Sequence, residues 1–223
     1  MTKKALIITA AGSGTRFGDS RSKCLALLQE KPVITHSLDT LLSYKWEKII
    51  VTAPDNALSD FENITQTYPV PISVIPGGKT RKESVQKAVQ KLSDCTTVFI
   101  HDAARPLLTN ELIQRLLDAP EEWEAVIPGI PVTDTIKMVN KNIVQNTIER
   151  QSLISVQTPQ RFYIKTLLKA YKHPSTNEIT DEAMLIEEAG MPIHTVLGDI
   201  QNIKLTYPKD ISILEALLKT PNT

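Results

Sequence analysis

The sequence predicts an α/β fold: a Rossmann-like, mainly parallel sheet with helices on both faces and a protruding β-hairpin. Three observations carry this prediction. Short apolar runs alternate with segments of helical period, a glycine-rich turn follows the first run, and residues 134–156 alternate apolar and polar side chains with period two. Strand and helix in strict alternation make βαβ units, whose strands lie parallel and whose crossovers cover the sheet. With 223 residues and 41% apolar composition the chain can bury a full core, and one domain over 1–223 is expected.

Taken in order, ALIIT (5–9) reads as a buried strand ending in a glycine turn; its basic start and brief apolar run do not make a secretion signal. VITHSLDTLLSY (33–44) has helical period, with Pro32 suited to a first turn, and KIIVTA (48–53) and PISVIP (71–76) are the next strands. RKESVQKAVQKL (81–92) is helical, TTVFIH (96–101) is a strand, and TNELIQRLLD (109–118) is a helix with Thr109 as its N-cap. EAVIPGI (124–130) is the fifth strand. The rhythm then breaks: 134–156 alternates around Asn140, Lys141 and Asn142, a hairpin pattern in place of a crossover. A lone two-stranded ribbon is marginal in water unless something covers it, so this arm predicts a homodimer; an ordinary edge hairpin is the plainer reading. Helices at 165–171 and 180–190, a strand at 192–198 and a closing helix at 209–219 complete the chain.

Charge and cysteine content exclude several functions. Twenty-five basic and 25 acidic side chains cancel, so no global field attracts nucleic acid or an anionic membrane, and any polyanion site must be local. No apolar run approaches the roughly 20 residues that span a bilayer. Cys24 and Cys95 fit neither a metal knuckle nor a disulfide framework. A soluble, cytoplasmic protein is expected.

The turn AAGSGTRFG (10–18), with Lys23 beyond it, is the first candidate site. A P-loop requires Gly, four residues, then Gly-Lys-Ser/Thr, and Asp19 follows Gly18 here; the dinucleotide fingerprint requires a third glycine where Phe17 stands. What remains is a loop whose backbone amides can surround phosphate oxygens, with Arg16 and Lys23 adding charge, or simply a glycine turn with solvated cations. HDAARP (101–106) ends the fourth long strand, and ligands of open α/β sheets collect beyond the carboxyl ends of the strands, so His101, Asp102 and Arg105 share that rim. GGKTRKES (77–84) is a second glycine pair, leading into a helix that carries Ser84.

Those motifs, together with PVTDTIK (131–137), TPQRF (158–162), TDEA (180–183) and NIKLT (202–206), occur in one order over nearly the whole chain. In this the sequence resembles the 2-C-methyl-D-erythritol 4-phosphate cytidylyltransferases, a nucleotidyltransferase-type family. The ribitol 5-phosphate cytidylyltransferases share the glycine loop, the TPQ segment and the NIKxT ending, whereas HDAARP and TDEA resemble the methylerythritol enzymes more.

The resemblance implies transfer of CMP from CTP to methylerythritol phosphate. The attacking phosphate is already an anion at neutral pH, which accounts for a site rich in cations and without a nucleophile-base pair. It implies Arg16, Lys23, Arg150 and Lys204 as the catalytic cations. CTP would be held by Ala10, Ala11, Gly12, Ser13, Gly14, Gly78, Ser84, Asp102 and Ala103. The sugar phosphate would be held by Asp102, Arg105, Thr135, Arg150, Thr158, Thr180 and Lys204. Arg150, on the return limb of the arm, would reach the other subunit's site. Mg²⁺ is implied as the cofactor, held mainly by the triphosphate, with Asp102 the one carboxylate to watch.

Other residues read as framework. His36, His173 and His194 have no partner at metal-ligand spacing, Cys24 reads as a buried thiol, and Trp46 and Trp123 read as packing. Two departures from the family pattern bear on the site. Ser22 and Cys24 flank Lys23 where the family has Pro and Gln, which predicts a looser lysine loop, and Lys79 stands where the family carries an acid. A catalytically silent nucleotide sensor and an NAD-dependent dehydrogenase are the readings from other classes; four separated cations argue against the first.

Overall fold

The computed structural model describes residues 2–12, 17, 22–174 and 179–219. Its backbone begins with β1 (Lys4–Thr9), a small hairpin of β2 (Leu27–Leu28) and β3 (Lys31–Pro32), α1 (Val33–Leu41) and β4 (Lys48–Ala53). Then come α2 (Leu58–Thr65), β5 (Ser73–Pro76), α3 (Arg81–Val89), β6 (Thr97–Asp102), α4 (Asn110–Leu117) and β7 (Ala125–Pro131). The second half holds β8 (Ile136–Asn140), β9 (Ile143–Ile148), β10 (Ile154–Val156), β11 (Gln160–Tyr163), α5 (Ile164–Ala170), α6 (Glu182–Glu188), β12 (His194–Leu197) and α7 (Asp210–Lys219).

The sheet is built on β6-β1-β4-β5, all parallel, with Ile7 opposite Ile50 on one side and Ile100 on the other. β11 runs antiparallel to both β6 and β7, so these two are parallel to each other, and β12 adds a parallel strand to the far edge of β7. Six strands therefore point their carboxyl ends to one rim. Alternation along β1 divides the core between the faces. Leu6 and Ile8 pack with Ile34 and Leu38 of α1, Phe61 of α2, Leu112 and Leu116 of α4 and Leu214 of α7. Ala5 and Ile7 pack with Val85 and Ala88 of α3, Leu167 of α5 and Ile186 of α6. A side chain of this size contributes about 1.5–3 kcal/mol on full burial, so both helix layers are fixed to the strands that carry the rim.

Two elements depart from the sequence pattern. The hairpin comprises 136–148, shorter than the expected 134–156, because Arg150–Ser152 form a 3₁₀ turn and Ile154–Val156 pair with β7 in the main sheet. Its tip is sequence-determined: Lys141 and Asn142 take φ of 46° and 65°, the paired positive values of a two-residue type I′ turn. Met138, Val139, Ile143 and Val144 remain 53–66% exposed along it. β11 lies where no strand is expected, since Gln160 and Arg161 are buried polar residues. Gln160 donates to Asp181 Oδ2, and Arg161 to the carbonyls of Ala119, Pro120 and Trp123. Among the described residues no helix is long and apolar enough to cross a membrane.

Candidate active site

Beyond the carboxyl ends of β1, β4 and β5 lies a cleft of about 510 Å³, lined by Ala11, Ala53–Asp55, Gly77–Lys79, Glu83 and Lys87. Ala10 continues the sheet, donating to Thr52 O at 2.8 Å, before the chain turns out through Ala11 and the exposed Gly12. Ser13, Gly14 and Arg16 lie outside the described residues. On the opposite wall Gly77 donates to Ala53 O, and Gly78 to Ser84 Oγ at 2.9 Å, while Ser84 Oγ donates to Thr80 O. Ser84 is buried and holds the loop. Lys79 is exposed; its backbone N–H donates to Glu83 Oε2, and Thr80 caps α3 by accepting from Glu83 N.

Both glycines are required by close approach. A Cβ on Gly77 would stand 2.3 Å from Ala11 Cβ, and one on Gly78 2.3 Å from Glu83 Cβ. Gly77→Ala should therefore push the two walls of the cleft apart, costing about 1–3 kcal/mol of stability and weakening nucleotide affinity. Calorimetric titration with CTP beside a thermal melt checks this; unchanged affinity would show that the cleft does not take the nucleotide.

Asp102, at the end of β6, is the hub of the rim. Its carboxylate accepts from Arg81 Nε at 3.2 Å and Thr9 Oγ1 at 3.2 Å through Oδ1, and from Lys204 Nζ at 2.6 Å through Oδ2. Burial would raise this carboxyl, but the charges of Arg81, Lys204 and Arg105 outweigh it and hold Asp102 well below the usual carboxylate range. Arg81 in turn pairs through Nη1 with Glu182 Oε2. Ala103, fully buried, donates to Thr9 O, and Arg105 N closes the turn onto Asp102 O.

The neighbouring groups form the frame. Thr158 Oγ1 accepts from Asp102 N and bonds His101 Nδ1 at 3.1 Å, while His101 Nε2 donates to Arg105 O. Arg105 spends its guanidinium on the carbonyls of Asn202 and Val156, and Asn202 Nδ2 reaches Thr158 O. Thr158 and Arg105, expected to line the sugar-phosphate pocket, bond the protein around Asp102 and fasten 202–206 to β6.

His101 illustrates the cost of that frame. Burial pushes its pKa down to about 4, more than the nearby Asp102 charge raises it. The hydroxyl of Thr158 already accepts from Asp102 N, so a proton on Nδ1 would leave the hydroxyl hydrogen without its acceptor. A depressed histidine stabilises the fold above its unfolded pKa of 6.5 and loses that contribution as pH falls towards 4, because only the unfolded chain takes the proton. Denaturant titrations should show about 3 kcal/mol lost over that window, and His101→Asn should flatten the slope.

Lys23 sits in a short turn whose flanks secure it. Ser22 Oγ donates to Ala10 O and accepts from Cys24 N, Cys24 is buried, and Lys23 Nζ donates to Leu205 O at 2.8 Å. Ser22 and Cys24, at the positions where a looser loop was expected, give the turn contacts of its own. Burial also raises the Cys24 thiol to about 11, so it is no thiolate. Lys23 therefore bonds the residue next to Lys204. Arg150 and Thr135 are exposed at the root of the hairpin, where Arg150 donates to Thr133 O, and neither touches this cluster. Thr180 is exposed just before Asp181, which caps α6 by accepting from Met184 N. Arg81 and Glu182 had no role assigned from sequence, although both lie inside quoted motifs, GGKTRKES and TDEA.

A mostly parallel α/β sheet whose carboxyl rim carries a glycine loop, a nucleotide-sized cleft and converging cations defines a nucleotidyltransferase-type enzyme. The chain belongs to the 2-C-methyl-D-erythritol 4-phosphate cytidylyltransferase (IspD) family, whose model matches residues 4–220. It is 40% identical over 218 residues, 96% of each chain, to the Bacillus cereus protein of that name, and 36% identical to that of Bacillus licheniformis, over 96% of this chain and 95% of the other. Among solved structures it is similar to 4-diphosphocytidyl-2C-methyl-D-erythritol synthase from Anaerococcus prevotii, at 28% identity and TM-score 0.86, covering 98% and 99% of the two chains. It is also similar to the Thermus thermophilus 2-C-methyl-D-erythritol 4-phosphate cytidylyltransferase, at 26% identity and TM-score 0.78, covering 99% and 100%.

Proposed function

We propose that this protein is a cytoplasmic enzyme that transfers CMP from CTP to 2-C-methyl-D-erythritol 4-phosphate. A phosphate oxygen of the sugar attacks the α-phosphorus of CTP in line, the bond to the β-phosphate breaks, and pyrophosphate leaves with the electron pair. The observation that carries the reading is the Lys204–Asp102–Arg81 cluster at the β6 end, with Arg81 following a cleft lined by Ala11 on one side and Gly77 and Gly78 on the other. In this reading CTP lies across the cleft, its base against Gly77 and Gly78 and its phosphates towards the amides of residues 12–14. Arg16 and Lys23 stabilise charge on the phosphoryl oxygens. Arg105, Thr135, Thr158 and Thr180 shape the sugar side. Arg150 and Lys204 place the attacking phosphate. Such a site works by positioning and by preorganised charge, which suits an attacking group that needs no base.

Mg²⁺ fits this arrangement as an ion carried by the triphosphate. Among the described residues no three His, Cys, Asp or Glu side chains converge on one point, and both oxygens of Asp102 are already engaged by Thr9, Arg81 and Lys204. Bound to the phosphates, the ion would neutralise the charge of the departing pyrophosphate. We assign the exposed apolar side chains of the hairpin to a homodimer contact that brings Arg150 to the partner's site. Sedimentation of a protein with Met138, Val139, Ile143 and Val144 replaced by serine should give a monomer.

The transfer is tested by pyrophosphate release from CTP and Mg²⁺ with methylerythritol phosphate and, separately, ribitol 5-phosphate. Turnover with the first and little with the second is expected; the reverse would move the substrate and leave the chemistry standing.

A further inference from the structure

We infer that Arg81 and Glu182 are positioning residues for the transfer: a buried pair that holds Asp102, and through it Lys204, where the sugar phosphate needs them. Arg81 opens α3 directly after the glycine loop of the cleft, and Glu182 opens α6, two residues beyond Thr180. Lys204, Asp102, Arg81 and Glu182 form an unbroken chain of alternating charge. Glu182 is 0% exposed.

The geometry argues against a pair retained for stability alone. A fork-to-fork pair would present two guanidinium nitrogens to one carboxylate. Arg81 instead gives Nε to Asp102 and Nη1 to Glu182, leaving Arg81 Nη2 and Glu182 Oε1 buried without partners. A charged pair in this setting is often no more stabilising than apolar residues of similar volume. What the charges do that apolar residues would not is divide Arg81 between two carboxylates. With Glu182 neutral, Arg81 draws Asp102 towards itself and loosens Lys204; with Arg81 absent, Asp102 binds Lys204 alone and holds it back from the incoming phosphate. Either change displaces the cation that meets the substrate.

This inference rests on the reading of Asp102 and Lys204 given above. Three proteins test it: wild type, Glu182→Gln, and the double variant Arg81→Met with Glu182→Leu. Each is assayed for kcat and for KM towards both substrates by pyrophosphate release, with the folded fraction taken from a thermal melt. Per folded molecule, both variants should lose on the order of 10- to 100-fold in kcat/KM for the sugar phosphate, since small misplacements of this kind cost that much, while KM for CTP changes far less. A merely structural pair predicts a double variant that folds and works, and a folded variant within about twofold of wild type overturns the inference. If the double variant does not fold, Glu182→Gln decides by the same comparison. A wild-type protein that releases no pyrophosphate would strike down the transfer reading itself.

Discussion

Lys23→Met should lower kcat by roughly 10²–10³ while leaving the protein folded, because one preorganised donor to the reacting phosphate contributes on that scale. The two consequences of the change are separable by size. Losing the contact from Lys23 Nζ to Leu205 O removes one hydrogen bond at the edge of the 202–206 segment, about 1 kcal/mol of stability. For a chain of this length that is a shift of a few degrees in Tm. A rate loss of two to three powers of ten corresponds to about 3–4 kcal/mol of transition-state stabilisation, well beyond what a slightly looser segment explains. Lys23→Arg keeps the charge but not the compact ammonium and should recover only part of the rate. Single-turnover pyrophosphate release at saturating CTP isolates the step; a rate within a few-fold of wild type for Lys23→Met would remove this lysine from the chemistry.

How legible this was from sequence depends on what kind of side chain carries the information. The parallel strands are apolar on both faces and were readable as runs: the expected 48–53 coincides with β4, and 5–9 and 96–101 fall within a residue of β1 and β6. β11 was not, because a strand with buried Gln160 and Arg161 has no apolar periodicity; their burial is compensated by partners 21 and 42 residues away that sequence does not reveal. α2 is hard to see for another reason: its apolar Leu58, Phe61 and Ile64 share one face but span only two turns, too short a run to stand out. At the site, motif order led to Lys23, Asp102 and Lys204, and the fold brings Lys204 against Asp102 across 102 positions of chain. It could not show which polar groups the protein itself engages. Thr158, Arg105 and Ser84 carry hydroxyl and guanidinium groups suited to a ligand, and each also bonds the protein itself. Arg81 and Glu182 sat in plain view within two motifs, and only the third dimension shows that they share one buried contact.

Asp102→Asn should cost about 3 kcal/mol of stability, the lower end of the range for removing one partner of a buried ion pair. The lower end applies for two reasons. The Lys204 side chain is 39% exposed and can turn to water, and Arg81 keeps Glu182 as a counter-charge. The Asp102 carboxylate, 8% exposed, is the group whose charge is lost. The sign of the pH dependence follows from its depressed pKa. Such a carboxylate stabilises the fold above its unfolded pKa of 3.8, and that contribution disappears only as pH falls through the lower folded value. The gap between wild type and Asp102→Asn should therefore stay constant from neutral pH down to about 4 and narrow in stronger acid. Both proteins also lose stability between pH 6.5 and 4 through His101. The variant's slope there should be no gentler, because the Asp102 charge favours the protonated imidazole and its removal makes protonation harder still. Denaturant curves at closely spaced pH values distinguish the two groups: a gap that instead narrowed already between pH 6.5 and 4 would mean that His101 had lost its frame in the variant, since a released imidazole no longer loses stability over that window.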